Sequence, residues 1–215
     1  MAVSHQPPEE TEDLLKRVAE GDAAALEQLF AGVRPFMRRV IEARMDRRLR
    51  SRIDPSDVIQ EAFVEATRRI RDYLDRRPMP FHLWVRQMAF ENLIRLHRFH
   101  VVAGRRAVGR EFPLADDSSI ALGRQVLAKG SGPLSGLLDR ELGVRVREAL
   151  SRLVEADREV LLMRSFEGLS NQEVALVLGL DPSAASQRFG RAVLRLRKLL
   201  TADDSVETSH DRRGT

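Results

Sequence analysis

The stretch SNQEVALVLGLDPSAASQRFGRAVLRLRKLL, residues 170–200, decides the fold. Ser170 followed by Glu173 is a capping box, in which hydroxyl and carboxylate satisfy amides left free at a helix start. The helix it opens runs to Leu178. Gly179 follows, where a helix end needs a residue that tolerates positive φ. Asp181 then offers an N-cap acceptor, and Pro182 suits the first helical position because its missing N–H is not needed there. Two helices separated by a glycine-containing three-residue turn form a helix-turn-helix. Along the second helix Ala185, Phe189, Ala192, Leu196 and Leu199 recur at helical spacing as an apolar stripe. Arg188, Arg191, Arg195 and Lys198 fall on a neighbouring stripe, and Ser183 to Gln187 form a first turn of small polar side chains. A recognition helix needs that pattern: its first turns enter the major groove, and arginines farther along reach guanines or phosphates. An αα-hairpin with a solvated basic face shares the periodicity. Capping, turn length and basic stripe agree on the DNA-reading form.

Working outward, helical pattern covers residues 137–200, and 201–215 is a polar tail expected to be disordered. Upstream, residues 101–136 hold Gly104, Gly109, Pro113, the run Asp116-Asp117-Ser118-Ser119, and Gly130-Ser131-Gly132-Pro133. Glycine and proline at that density predict a flexible linker, and a structureless segment of that length argues for two domains. Residues 9–100 read as consecutive helices. The expected fold is all-α: two small helical domains, 9–100 and 137–200, joined by a linker at 101–136, with the helix-turn-helix in the second.

Between Val33 and Arg52 of the first domain, Arg34, Arg38, Arg39, Arg44, Arg47, Arg48, Arg50 and Arg52 are opposed only by Glu42 and Asp46. Such a cluster suits a phosphate backbone, and equally a solvated or ion-paired helix surface. Asp54-Pro55-Ser56-Asp57 opens the next helix, whose buried side is marked by Ile59, Phe63, Ala66 and Ile70. Asp57, Gln60 and Glu61 then lie on an exposed face near its start, where acidic groups also complement the helix dipole. Pro78 and Pro80 break the helix between Tyr73 and Pro80. A final helix from about Phe81 to Arg98 buries Trp84, Val85, Met88, Ala89 and Leu93 and exposes Arg86, Asn92, Arg95 and Arg98. Trp84 on such a face reads as core rather than as a base-stacking platform.

The chain has no cysteine, which excludes disulfides, thiol nucleophiles and Cys-ligated zinc. Met1 to Asp13 is acidic and lacks the basic start and apolar run of a signal peptide. No apolar run approaches the ~18 residues of a membrane span. A soluble cytoplasmic protein without membrane insertion is expected. The formal net charge is only +4, so the placement of charge matters more than its sum.

Taken in order, several short stretches resemble the extracytoplasmic-function (ECF) sigma factors, small two-domain members of the bacterial sigma family. The resemblance spans about Glu12 to Leu200. Asp54-Pro55-Ser56-Asp57-Val58-Ile59-Gln60-Glu61-Ala62-Phe63 resembles the helix that docks on the polymerase β′ coiled coil. Phe81-His82-Leu83-Trp84-Val85 through Ala89-Phe90-Glu91-Asn92 resembles the helix behind the −10 element pocket. Asp157-Arg158-Glu159-Val160-Leu161 through Glu167-Gly168-Leu169-Ser170-Asn171-Gln172-Glu173-Val174-Ala175 resembles the second domain. Gly190-Arg191-Ala192 and Leu194-Arg195-Leu196 resemble the end of its −35 recognition helix. The chain departs from the family at Leu153-Val154, often Leu-Pro, and at Ala184-Ala185-Ser186, usually Thr-Val and a basic residue. Its linker is also long.

The resemblance implies a sigma factor that binds core RNA polymerase through its β′ and β subunits and directs promoter recognition, melting and initiation. It implies polymerase contacts from Asp57, Gln60 and Glu61. It implies −10 contacts from Tyr73, Arg76, Arg77, Asn92 and Arg95. It implies −35 contacts from Ser183, Ala184, Ser186, Gln187, Arg188 and Arg191. An anti-sigma factor is a further candidate partner. No catalytic residue, cofactor or metal is expected, since captured single-stranded bases by themselves shift the duplex toward the open form.

The main alternative is a conventional dimeric helix-turn-helix regulator binding symmetric half-sites unaided. The DPSDVIQEAF stretch weighs against it. An enzyme lacks support: G-x-x-x-x-G-K-[ST], G-x-S-x-G and H-E-x-x-H are all absent, and His97 and His100 share a helix face without an evident third ligand. A third alternative is a helical adaptor whose basic faces bind protein.

Overall fold

The computed structural model describes residues 8–45, 47–99, 116–128 and 139–210. These residues are helical throughout, apart from turns and caps. The chain divides into two units, Met1–Phe112 and Pro113–Thr215.

In the first unit α1 (Pro8–Ala19) carries Glu9 and Glu10 in its first turn and Lys16 and Arg17 in its last, each complementing the helix dipole. The chain turns at Gly21, whose φ of 93° suits glycine. Asp22 then caps α2 (Ala23–Arg44), accepting from the Ala25 amide at 3.1 Å. The Arg17 guanidinium 2.6 Å away, followed by that amide, holds the Asp22 carboxyl below its ordinary range. Leu29, Val33, Phe36, Met37, Val40 and Ile41 of α2 are buried at helical spacing.

A short α3 (Arg47–Arg50) leads to α4 (Pro55–Arg76), which Asp54 caps by accepting from the Ser56 amide at 2.7 Å. Val58, Ile59, Ala62, Phe63 and Ala66 form its buried side, while Ile70 is half-buried. Arg77 ends α4 in the left-handed region at φ 37°, and Pro78 prevents continuation. α5 (Phe81–His97) packs on α4 and α2. Aromatic contacts bind the three together, with Phe30 stacked on Phe63 at 4.5 Å and Tyr73 tilted against Trp84 at 4.5 Å.

The second unit contains α6 (Asp116–Ala128), α7 (Asp139–Ser151) and α8 (Glu155–Leu162), which runs into a π-helical turn, Met163–Glu167. Gly168 ends that turn at φ 73°. α9 (Asn171–Leu178) and α10 (Pro182–His210) complete the unit.

Two expectations need correction. Residues 116–128 were expected within a flexible linker, yet they form α6, packed against α7 and touching α10. Ser119, Leu122, Gly123 and Val126 are buried on one face at helical spacing, a pattern that the flanking glycines and prolines hid. The remaining linker positions, 101–115 and 129–136, lie outside the described residues. The tail expected to be disordered from 201 onward instead continues α10 to His210. No glycine or proline stands between Arg191 and His210 to stop it. Residues 211–215 are outside the described residues.

Candidate nucleic-acid interface

In the second unit the local chemistry of residues 170–182 sets the turn. The Ser170 hydroxyl accepts from the Glu173 amide at 3.2 Å, and the Glu173 carboxylate accepts from the Ser170 amide at 2.7 Å. Gly179 closes α9 in the left-handed region at φ 64°, with its N–H returned to the Ala175 carbonyl. The Asp181 carbonyl accepts from the Ala185 amide at 2.9 Å, starting α10.

Buried Ala185, Ala192, Leu196 and Leu200 form the inner seam of α10, while Phe189 and Leu199 are only half-buried. Ser183, Ser186, Gln187 and Arg191 are exposed, and Ala184 and Arg188 are half-exposed. The six residues expected to face duplex DNA thus share the outer side of the first three turns. The basic stripe is narrower than its sequence. Arg195 ion-pairs with Asp157 of α8, whose side chain is only 6% exposed. The Arg164 guanidinium lies 5.5 Å from the Phe189 ring. Sequence reasoning placed Asp157 in a matching motif and gave it no role. Its place in the first turn of α8, where an acidic residue also complements the helix dipole, offered no signal of an inward carboxylate.

In the first unit Asp57, Gln60 and Glu61 are exposed on the first turns of α4, and Gln60 and Glu61 form one side of an open cleft of about 450 Å³ between α4 and α5. Arg68, Arg69, Asn92 and Arg95 also line it. Glu61 Oε2 lies 3.3 Å from Arg95 Nη2, an exposed pair worth little in water.

Of the residues expected at the −10 element, Arg76, Arg77 and Arg95 are exposed, and Arg77 pairs with Glu12. The other two face inward. Tyr73 is buried against Trp84 and Phe81, and its hydroxyl donates to the Met79 carbonyl at 3.1 Å. Burial pushes its phenol up to about 12. Tyr73 therefore staples the 73–80 loop. Asn92, expected exposed, is buried: its Nδ2 donates to the Val58 carbonyl at 3.4 Å and its Oδ1 accepts from Arg95 at 2.7 Å. Arg86, also expected exposed, is buried with its guanidinium 5.5 Å from the Phe90 ring. Asn92 is held by a carbonyl of α4 that the spacing of α5 alone does not reveal, and Arg86 lies against Phe90 four residues along α5, the ring that Arg44 of α2 also covers. Trp84 and the four apolar residues expected with it are buried.

The arginine cluster divides in the same way. Arg38 pairs with Glu42 at 2.7 Å, which is the first cause raising the Arg38 guanidinium's affinity for its proton. Arg34 lies over the Phe63 ring at 5.0 Å, and Arg44 is buried over Phe90 at 4.7 Å. His97 is half-buried, His100 lies outside the described residues, and no metal-holding group of three or more His, Asp or Glu occurs among the described residues. No helix among the described residues is long and apolar enough to cross a membrane.

A capped helix-turn-helix with an exposed polar first turn defines a DNA-binding protein of the helix-turn-helix class. The family described as Sigma-70, region 4 matches residues 143–196, which cover most of α7, all of α8 and α9, and about the first half of α10. The chain is 32% identical over 150 residues to the RNA polymerase sigma factor CnrH of Cupriavidus metallidurans, covering 70% of this chain and 75% of CnrH. It is 30% identical over 189 residues to the ECF RNA polymerase sigma factor ShbA of Streptomyces griseus, covering 86% of this chain and 93% of ShbA. The solved structure of CnrH in complex with the cytosolic domain of CnrY matches with a TM-score of 0.53 at 26% identity, over 90% of this chain and 99% of that one. The chain belongs to the ECF RNA polymerase sigma factors. As a sigma factor, it serves transcription initiation.

Proposed function

We propose that the protein docks on core RNA polymerase through Asp57, Gln60 and Glu61 and holds the melted −10 strand with Arg76, Arg77 and Arg95. Ser183, Ala184, Ser186, Gln187, Arg188 and Arg191 then read the −35 duplex. Tyr73 and Asn92 serve the −10 site indirectly, by fixing the loop and Arg95. The protein supplies no catalytic group: binding energy for exposed bases drives opening, and polymerase does the chemistry. The observation that carries the reading is the exposure of all three α4 residues at a helix start, in a chain that also presents an exposed polar recognition turn. It acts in the cytoplasm, where polymerase is. An anti-sigma protein is a fitting regulator, since the related CnrH has been solved with the cytosolic domain of CnrY.

A gel-shift titration with and without core enzyme tests the proposal, on a promoter selected from random duplexes. Free protein should bind weakly, because one helix-turn-helix covers little DNA and the net charge is small. Holoenzyme should bind tightly and lose affinity when the spacer between elements changes by a few base pairs. Tight binding by the protein alone to a palindromic site would favour a dimeric regulator instead.

A further inference from the structure

We infer that Asp157 and Arg195 are positioning residues for promoter recognition, an ion pair that sets the rotation of α10 and hence the aim of its first turns. The inference rests on the −35 role proposed for residues 183–191. The seam that seats α10 gives little rotational control. Two of its buried residues, Ala185 and Ala192, have no side chain beyond Cβ. Apolar contact is also non-directional, so a small roll of α10 costs little there. Directional contacts must hold it. Three arginines supply them from outside the helix-turn-helix or across it. Arg164 lies against Phe189, Arg195 reaches Asp157, and Arg145 donates to the Leu200 carbonyl at 2.7 Å. Of these, only the Asp157 contact joins two full charges. Arg195 stands seven residues beyond Arg188, two helical turns along the same side, so fixing it fixes the side chains aimed at DNA.

The burial of the pair is lopsided, and that makes it testable. Asp157's side chain is 6% exposed and Arg195's is 57% exposed. Removing the Asp157 charge leaves a cation that water can reach, so the fold should tolerate Asp157→Asn. Removing Arg195 strands a buried carboxylate, which is far more costly. Asp157→Asn is therefore the clean variant, and Arg195→Lys tests whether a retained cation restores function.

The experiment uses full-length protein reconstituted with core polymerase. The probe is a duplex selected by wild-type holoenzyme from a random pool, with a control duplex whose upstream element is scrambled. Asp157→Asn should unfold near the wild-type temperature yet bind the selected duplex about tenfold more weakly, the scale of one misaligned base contact. Its affinity for the control duplex should not change. The slope of log affinity against log salt should stay at the wild-type value, because no phosphate contact is lost. Arg195→Lys should recover most of the affinity. If Arg195 instead contacts phosphate itself, Asp157→Asn will free the cation and tighten binding, which overturns the inference. Lower thermal stability with wild-type affinity in the folded protein would reduce the pair to structure alone and also overturn it. A wild-type holoenzyme that selects no upstream element would refute the −35 role, and the inference with it. Selection of that element together with an indifferent Asp157→Asn would refute the inference alone.

Discussion

Gly123→Leu should detach α6 from the second unit. A Cβ at Gly123 would lie 2.8 Å from Val146 Cγ2 and 3.0 Å from Leu142 Cδ1, closer than carbon atoms pack. Val146 is fully buried and Leu142 nearly so, so neither can swing into solvent. Alanine is the graded case. Its helix propensity gains ~1 kcal/mol over glycine, while overpacking costs ~1–3 kcal/mol, so Gly123→Ala should lose at most ~2 kcal/mol. Leucine cannot be fitted, and α6 must leave its groove. Leu122 and Val126, both under 4% exposed, then return to water. At ~1.5–3 kcal/mol for each fully buried side chain, the loss is up to ~3–6 kcal/mol, an upper bound because unfolded chains bury some apolar surface already. Amide hydrogen exchange followed by peptide reads the outcome. Wild-type amides across residues 119–128 should exchange slowly, as those of α7 do. Gly123→Leu should release them and lower α7's protection as well. Fast exchange across 119–128 in the wild type, or identical protection in the variant, would refute the docking of α6 and restore a plain linker.

Three other outcomes follow from the same geometry. The double change Asp57→Lys with Glu61→Lys should abolish co-purification with core polymerase while circular dichroism stays helical, since both side chains are exposed on α4; normal co-purification would leave these carboxylates as helix-start anions. Arg188→Ala should weaken upstream footprinting protection by ~1–3 kcal/mol if the arginine pairs with a base, and unchanged protection would remove it from the site. Tyr73 is the chain's single tyrosine, so alkaline difference spectroscopy reads it alone. It should ionise near 12 in the folded protein against 10.0 for an ordinary phenol. Because the folded value is the higher one, its contribution to stability is complete below pH 10.0 and is lost as pH rises towards 12. Ionisation near the ordinary value would mean that the phenol is open to solvent.

Much of the fold was legible because its signals are local. Ser170 and Glu173, Gly179, and Asp181 with Pro182 each act on backbone groups within four residues, so spacing alone exposes them. The exposed face of α4 follows from period and cap in the same way. α6 was hidden because its signal is weak by composition. Ser119 and Gly123 occupy half of its buried face, and small residues look like linker until a partner is seen close against them. Asn92 and Arg86, expected exposed, are buried for a different reason, and the inward turn of Tyr73 shares it. Helical spacing gives the direction of a side chain from its own axis, but burial depends on the neighbouring element. The Met79 carbonyl that receives Tyr73 and the Val58 carbonyl that receives Asn92 belong to other segments. Asp157 belongs with these, since its partner lies 38 residues away.

These inward polar groups share a consequence for how the surface works. A buried hydroxyl, amide or carboxylate is tolerated only when hydrogen-bonded, so each has one well-defined geometry where an exposed side chain has many. Each also touches something placed at the surface. Tyr73 holds the loop that follows the exposed Arg76 and Arg77, and Asn92 holds Arg95. Asn92 reaches further, because its other end meets the Val58 carbonyl, one residue from Asp57, and Arg95 also meets Glu61. One amide therefore spans the turn assigned to polymerase and the arginine assigned to DNA. Losing it would loosen both faces at once without removing a contact from either. Effects of substitution at position 92 on polymerase binding and on DNA binding are then linked by geometry. Neither identifies Asn92 as a direct ligand of either partner.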